Sequence, residues 1–439
     1  MLGQKYAVHF TDKNNSPYSI NNPEEFLSQR SIERRIKFNI PIDETDLPVN
    51  PEYVNGLSEV GAVIGFTSKW LNVALISCNS SLVNTIQQLP YVESVVYISP
   101  GNYTKDEETR DPNFVSKHKD KLENENNFKP VDKNTSKNDY YGHGFEQINQ
   151  INGIPVHNKG FRGKGILIGV IDAGFDNLNN IPAFDVLYEE NRIVFEKDFV
   201  VKGGNIYSNT SNHGTNVLSC IATNLVGEFV GTAPEAAFAL IRTENANEEY
   251  LIEPYNWAIG AEAADSLGCD LISTSLGYSA FDDESMDFEY YQSDGETLPC
   301  SKAAKLATEK GIFVTCSAGN SNFILYDWRW VSPPADVVSV ATVGAVDAAG
   351  EIAFFSSIGP NGAGDPKPDI CARGIDATVI STEGSNSYAD GTSFSCPITA
   401  GMIACLIQAN PLIKPMDLLQ IVNSTGDRPF ILTISPYSI

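Results

Sequence analysis

The stretch Gly165-Ile-Leu-Ile-Gly-Val-Ile171 is an unbroken apolar run, and Asp172 follows it directly. A short run of this kind, without polar residues at alternate positions, is typical of a strand that is buried on both faces of a sheet. Such sheets are mostly parallel and carry helices on both faces. The stretch therefore predicts an α/β fold, with Asp172 at the carboxyl end of a buried strand.

The same pattern continues after Asp172, where short apolar runs alternate with longer segments of helical character. Functional groups on a mostly parallel sheet gather at the carboxyl ends of its strands, so the loops that follow the strands are where a site is expected. Strands are predicted at 236–241, 270–275, 312–316 and 337–343, and helices at 215–222, 253–267, 300–310 and 393–409.

The chain of 439 residues divides into three predicted parts. Residues 1–103 alternate between strand and helix patterns and indicate a small α+β domain. Residues 104–139 are dominated by Lys, Asp, Glu and Asn, and such a segment buries too little apolar surface to offset its ordering entropy, which predicts an exposed, cleavable linker. Residues 140–439 hold the α/β pattern.

The first helix of the small domain is expected to begin at Pro23, with Asn22 as its N-cap and Glu25 closing a capping box. Its apolar face is expected to consist of Phe26, Leu27, Ile32 and Ile36.

Composition excludes several classes of function. Acidic residues number 55 and basic residues 30, giving a net charge of −25, which would repel phosphates and argues against nucleic-acid binding. No apolar run approaches the ~20 residues of a membrane span, and the first ten residues do not read as a signal peptide.

The eight cysteines form no Cys-x-x-Cys pair and have no histidine cluster beside them, which argues against a zinc site. Most are expected to be free, buried thiols. Cys300 lies in a polar segment and is expected to be the most exposed of them.

Three polar groups stand where the predicted strands end or the helices begin: Asp172, His213 and Ser393. Each alone has an ordinary interpretation, as a capping or ribose-binding acid, a structural histidine and a helix N-cap. Together they supply a serine nucleophile, a base and an orienting carboxylate. Asn320, after another predicted strand, could donate a hydrogen bond to an oxyanion.

The motifs that carry these residues resemble those of the subtilisin-like serine peptidases (subtilases). His-Gly-Thr-x-Val stands at 213–217, Ser-Ala-Gly-Asn at 317–320 and Gly-Thr-Ser-x-x-x-Pro at 391–397. The resemblance covers roughly residues 140–425. Ser273-Thr-Ser-Leu-Gly277 resembles the substrate-binding strand of the family.

The resemblance implies a role for each residue. Ser393 would be the nucleophile, His213 the general base and then acid, and Asp172 the carboxylate that orients His213. Asn320 and the backbone N–H of Ser393 would form the oxyanion hole. An extended protein or peptide substrate would pair with Ser275, Leu276 and Gly277 as an added strand.

The sequence departs from the family pattern in three places. Ala173 replaces the usual Ser or Thr after the acid, and Phe394 and Ser395 follow the nucleophile where Met or Leu and then Ala are usual. The helix that begins near Pro415 is followed only by 427–439, where the family normally continues, so we expect either a truncated chain or an unusual ending.

The resemblance also gives residues 1–103 a function. Subtilases are made with a small α+β prosegment, and here it would lay its sheet against the protease, feed 99–105 into the cleft and inhibit it until the linker is cut. An unrelated adaptor domain is the alternative. The opening also resembles secreted subtilases of Bacteroidetes, so secretion or the cell envelope is the expected location.

Other readings stay open. The main alternative is a binding protein with the subtilase fold and no catalytic activity. A lipase-type hydrolase is disfavoured, because the chain lacks Gly-x-Ser-x-Gly at the serine and because the acid and the base precede the serine in the sequence. No cofactor is required by the resemblance. Calcium at the acid-rich loop 281–287 is left open, and Phe323–Tyr326 would give the primary pocket an apolar lining.

Overall fold

The computed structural model of the chain describes residues 3–101, 129–130, 139–208, 210–322 and 328–427. Its element order alternates between strands and helices for most of the chain.

The N-terminal unit (residues 3–101) is a four-stranded antiparallel sheet with the strand order β2-β3-β1-β4. One face of the sheet packs on its own helices through a cluster that includes Val8, Leu57 and Ile86. The strands are β1 Gln4–Phe10, β2 Val63–Ser68, β3 Val73–Cys78 and β4 Val92–Ser99, and the helices are α1 Gln29–Phe38, α2 Pro51–Glu59 and α3 Val83–Gln87.

The expected start of α1 is wrong. Residues Pro23–Glu25 make only a 3-10 turn, which Asn22 does not cap with its side chain. The helix begins at Gln29, because Ser28 provides the side-chain oxygen that accepts a hydrogen bond from the Ser31 N–H. Its expected apolar face is also wrong in part, since Ile36 is 73% exposed.

Seven parallel strands form the main sheet, in the order β14-β13-β12-β11-β6-β10-β7, so the predicted α/β fold is confirmed. The remaining strands form two small sheets, β15-β16-β5 and β8-β9. The strands are β5 Lys129–Pro130, β6 Leu167–Asp172, β7 Ile193–Asp198, β8 Asn224–Leu225, β9 Phe229–Val230, β10 Ala237–Arg242, β11 Leu271–Thr274, β12 Phe313–Ser317, β13 Ala341–Val346, β14 Ile370–Arg373, β15 Ala377–Ile380 and β16 Asn386–Ala389.

Helices cover both faces of the main sheet. The later helices are α4 Phe145–Gln150, α5 Gly153–Asn158, α6 Asp185–Glu189, α7 His213–Ala222, α8 Ile252–Leu267, α9 Pro299–Glu309, α10 Thr392–Ala409 and α11 Pro415–Ser424.

Alternate side chains of the central strand β6 enter different cores, as a strand buried on both faces requires. Leu167 and Ile171 belong to the cluster that holds α8 and α9, whereas Ile168 and Val170 belong to the cluster that holds α7, α10 and α11. The unbroken apolar pattern of β6 thus follows from its two buried faces.

The N-terminal unit rests on α8 and α9. Val73 of its sheet and Trp70 of the turn between β2 and β3 join the same apolar cluster as Trp257 of α8. The His9 Nε2 and Tyr255 Oη atoms lie 3.1 Å apart across this contact. The other face of the small sheet therefore packs on the main domain.

Only a few residues of the predicted linker belong to the part of the chain that the structure describes. Lys129 and Pro130 form β5, which pairs with Tyr388 and Ser387 of β16. The rest of 104–138 lies outside the described residues, as do Phe323–Tyr326 and the tail after Asp427.

The expected exposure of Cys300 is also wrong, because this residue lies in the first turn of α9 and its side chain is 0% exposed. Cys371 is half-buried and is the only described cysteine that is not fully buried. All eight described cysteines are free thiols.

One helix among the described residues, α10, is long and apolar enough to pass for a membrane span. However, 83% of that segment is buried inside the fold, as is normal for a core helix.

Candidate active site

Four elements bring their polar residues to the carboxyl edge of the main sheet. The strand β6 ends in Asp172, and α7 begins with His213. The strand β12 is followed by Asn320, and Ser393 is the second residue of α10. The site is built where parallel sheets place functional groups.

Asp172 and His213 are in direct contact. The His213 Nδ1 atom lies 2.8 Å from Asp172 Oδ1, and both side chains are buried. The same carboxylate oxygen accepts a hydrogen bond from the Ala173 N–H at 2.8 Å. The imidazole is therefore held with Nδ1 toward the carboxylate, and Nε2 lies on the opposite side of the ring.

Arg242 supports the turn after Asp172, and sequence reasoning missed it. Its guanidinium donates from Nε to the Ala173 carbonyl at 3.1 Å and pairs through Nη1 with Asp198 at 2.8 Å. The Thr243 N–H donates to the Asp172 carbonyl at 3.1 Å. The sequence did contain a signal for Arg242, because it is a basic residue at the end of the otherwise apolar strand β10.

Ser393 lies in the first turn of α10, where backbone N–H groups have no acceptor within the helix itself. Gly391 provides the N-cap with φ +153°, and its N–H donates to the Gly374 carbonyl at 2.8 Å. The Phe394 ring, one residue after Ser393, has its centroid 6.2 Å from that of the His213 ring. The start of α10 therefore lies close to His213.

Asn320 is locked to the same helix start by its amide oxygen. Its Oδ1 atom accepts hydrogen bonds from the backbone N–H and from the hydroxyl of Thr392, both at 2.9 Å. The Gly319 N–H in turn donates to the Thr392 hydroxyl at 3.1 Å. Because Oδ1 is turned toward Thr392, the Nδ2 group of Asn320 points away from it.

Ser275, Leu276 and Gly277 follow directly after β11. The Ser275 hydroxyl donates to the Ser393 carbonyl at 2.8 Å, which ties this segment to the start of α10. A Cβ atom on Gly277 would lie only 2.8 Å from the Ser332 Cβ, so the close approach of the two chain segments requires glycine. Pairing of this segment with a substrate stays a prediction.

Additional carboxylates lie beside the acid–histidine pair. Burial, and next the neighbouring Glu249, raise the pKa of Glu244 to about 8, and Asp172 contributes in the same direction. Burial likewise raises the pKa of Glu253. Glu244, with a pKa of about 8, is protonated at neutral pH and adds no negative charge beside Asp172.

The described residues contain no group of three or more His, Cys, Asp or Glu side chains that could hold a metal ion. In the acid-rich loop, the Asp287 carboxylate accepts from the Phe281 N–H at 2.7 Å and the Asp283 carboxylate from the Ser285 N–H at 3.1 Å. These contacts do not test calcium binding, which stays a prediction.

Comparison with protein-family models gives two matches. The model described as the subtilase family matches residues 163–430. A model described as the peptidase S8 propeptide domain of Bacteroidota matches residues 5–113. The resemblance drawn from the sequence motifs is confirmed.

Individual relatives are similar to the same region. The chain is 30% identical over 297 residues to serine protease AprX of Bacillus subtilis, covering 61% of this chain and 62% of AprX. It is 29% identical over 267 residues to a subtilisin of Bacillus pumilus, covering 60% of this chain and 84% of that protein. The match to AprX thus spans less than two thirds of the length of that protein.

Among solved structures, a cold-adapted subtilisin-like serine proteinase is similar, with 24% identity and a TM-score of 0.45. The similarity covers 60% of this chain and 83% of that one.

Proposed function

Because the chain belongs to the subtilase family, we propose that it is a serine endopeptidase, made as a self-processing zymogen with the N-terminal unit as its prosegment. One observation carries the proposal: the 2.8 Å contact between Asp172 and His213 lies at the same sheet edge as Ser393. Residues 139–427 are called the catalytic domain from here on.

In the proposed reaction, His213 Nε2 takes the proton of the Ser393 hydroxyl as Oγ attacks the carbonyl carbon of the scissile peptide bond. Asp172 stabilises the imidazolium that forms. His213 then gives the proton to the leaving amine, and the C–N bond breaks to leave an acyl-enzyme. A water molecule, activated by His213, releases the acid product and restores Ser393.

The negative oxygen of each tetrahedral intermediate needs donors that are already in position. The proposed donors are Asn320 Nδ2 and the Ser393 N–H. The two hydrogen bonds from Thr392 to Asn320 Oδ1 support this role, because they fix the amide plane before the substrate arrives. The positive end of the α10 dipole would favour the same charge.

Substrate binding is proposed to use Ser275, Leu276 and Gly277, with the peptide added alongside them as an extended strand. The bond from Ser275 to the Ser393 carbonyl supports the proposal, because it holds this segment next to the nucleophile. The mechanism needs no cofactor, and structural calcium remains a separate proposal.

The prosegment is proposed to inhibit the catalytic domain until the linker is cut. Its support is the propeptide family match and the packing of the N-terminal sheet on α8 and α9. We propose that the processed enzyme acts outside the cell or in the cell envelope, and cell fractionation with an antibody would test this.

Serine-directed labelling tests the activity. After incubation to allow processing, the wild-type chain should react with a fluorophosphonate probe and hydrolyse casein, and Ser393→Ala should do neither and should keep its linker uncut. Ser395→Ala is the matched control, because this hydroxyl lies two residues further along the same helix and donates to the Thr392 carbonyl. It should stay active.

Wild-type casein hydrolysis by Ser393→Ala would refute the proposed nucleophile. A folded wild-type chain that neither labels nor hydrolyses would favour the silent binding protein instead.

A further inference from the structure

The helix α1 of the prosegment lies across the C-terminal ends of α8 and α9. The last carbonyls of a helix have no N–H partner within it, so they need donors from elsewhere. At the end of α8 the Ser266 carbonyl accepts from the Ser28 N–H at 2.9 Å, and the Gly268 carbonyl accepts from Arg30 Nε at 2.9 Å.

Two buried arginines of α1 complete this capping. The Arg34 guanidinium donates to the Cys269 carbonyl at 2.5 Å, to the Asp265 carbonyl at 3.1 Å and to the Lys310 carbonyl at 3.1 Å. Arg35 donates to the same Lys310 carbonyl at 2.6 Å. One prosegment helix therefore caps two helices of the catalytic domain.

The charge at the centre of this contact is Asp265 of α8, whose side chain is 0% exposed. Its carboxylate pairs with Arg34 at 2.5 Å, with Arg35 at 3.0 Å and with Lys69 at 3.3 Å. Among the described residues, every cation paired with Asp265 comes from the prosegment. Burial opposes ionisation, but Lys69, Arg34 and Arg35 together hold the pKa of Asp265 below its usual value.

The pairing is reciprocal. Lys310, at the end of α9, donates to Asp46 of the prosegment at 2.9 Å, and Asp46 also accepts from Arg35 at 2.8 Å. A substitution that removes one member of these pairs while the contact stays closed would leave a buried charge without its partner, which is strongly unfavourable.

This contact lies far from the site in the topology of the fold. Asp270 and Gly311 come immediately before β11 and β12, so the ends of α8 and α9 lie at the amino edge of the main sheet. Arg30 also reaches the Gly165 carbonyl, two residues before β6, at 2.9 Å. Ser393 and His213 lie at the opposite, carboxyl edge.

We propose that the C-terminal ends of α8 and α9 form a docking surface that recognises arginine side chains, that α1 occupies it, and that it holds the prosegment independently of the active-site cleft. This arginine clamp (Arg34, Arg35 and Asp265) deepens the proposed function and rests on it for its biological meaning. It gives the prosegment a second attachment point.

The surface selects arginine over lysine for a geometric reason. Arg34 directs its N–H groups at carbonyls of both helix ends and at a carboxylate oxygen, which a planar fork of five donors can do at once. A lysine ammonium has three donors at a single point. Arg34→Lys keeps the charge but loses the simultaneous contact with α8 and α9.

The test uses the full chain with Ser393→Ala, so that no result depends on peptidase activity. A recognition sequence for a site-specific protease is placed in the linker, the linker is cut, and prosegment release is followed by size-exclusion chromatography over time. We expect Arg34→Lys to release the prosegment at least tenfold faster. Glu33→Gln, which removes an exposed charge from the same helix where the side chain is hydrogen-bonded to Gln29 of that helix, should change the rate less than twofold.

Arg34→Met leaves Asp265 with one cation fewer, and a compensating variant guards against failure to fold: Arg34→Met with Asp265→Leu removes both members of the pair. We expect this double variant to fold and still to release the prosegment faster than wild type. Release at the wild-type rate from both Arg34→Lys and the double variant would overturn the proposal, because the cleft alone would then hold the prosegment.

Discussion

The hydroxyl of Thr392 gives a quantitative test of the proposed oxyanion hole. Thr392→Val removes one of the two hydrogen bonds that Asn320 Oδ1 accepts and keeps the other, which comes from the backbone N–H. It also removes the acceptor of the Gly319 N–H. Thr392 is fully buried, and valine matches its shape, so the substitution changes a contact and little volume. The amide of Asn320 then loses one of the hydrogen bonds that orient it.

The size of the effect follows from that count. A neutral hydrogen bond contributes about 0.5–1.5 kcal/mol, which corresponds to roughly a two- to tenfold fall in kcat. Asn320→Ala removes the donor itself and should lower kcat by a factor of about 10²–10³, the value for the corresponding donor of subtilisin. Both losses should appear in kcat with KM nearly unchanged, because the donor acts mainly in the transition state.

The assay is steady-state hydrolysis of a peptide amide by the processed enzyme, with Thr392→Ser as the control that keeps the hydroxyl. Thr392→Ser should retain kcat within about twofold. If Thr392→Val lowers kcat as much as Asn320→Ala, or changes only KM, the orientation argument is incorrect.

Two further substitutions test the surroundings of the acid. Asp172 Oδ2 is buried and has no hydrogen-bond partner among the described residues. Ala173→Ser should add a donor to this oxygen and raise the free energy of unfolding, measured by urea titration, by roughly 1 kcal/mol. An unchanged free energy of unfolding would show that the new hydroxyl does not reach Asp172. The folded pKa of Glu244, about 8 against an ordinary 4.5, means that the folded state binds more protons between these values and loses stability as the pH rises. Glu244→Gln should therefore reduce the loss of stability between pH 5 and pH 8.5, and an unaltered pH dependence in urea unfolding would contradict the assignment.

The sequence predicted the main sheet well because its central strands are buried on both faces. Apolar runs such as 236–241 mark such strands without any knowledge of their neighbours. Strands at the sheet edges carry weaker patterns: β7 has alternate residues exposed and was not predicted. The strand expected at 337–343 begins later, at Ala341, because Val337 and Val340 lie in a turn before it.

The candidate site residues could be proposed from the sequence because each stands in a distinctive motif at a strand end or a helix start. The residues that hold the site residues in place could not be predicted, because Arg242 and Thr392 contact partners that are distant in sequence. The arginine clamp is the extreme case. Arg34 and Arg35 read as the solvent-facing charges of an amphipathic helix, and only the tertiary structure supplies the buried Asp265 that pairs with them, 231 and 230 residues further along.

The order of these elements along the chain has a consequence for biosynthesis. Ribosomes add about 5–20 residues per second, so Ser393 is made roughly 10–45 s after Asp172. By the end of that interval the nascent polypeptide contains the N-terminal unit and all seven strands of the main sheet, while the helix that bears the proposed nucleophile is still missing. A growing chain therefore lacks the proposed nucleophile until α10 has been translated, so before that point it cannot attack neighbouring chains on the same messenger RNA.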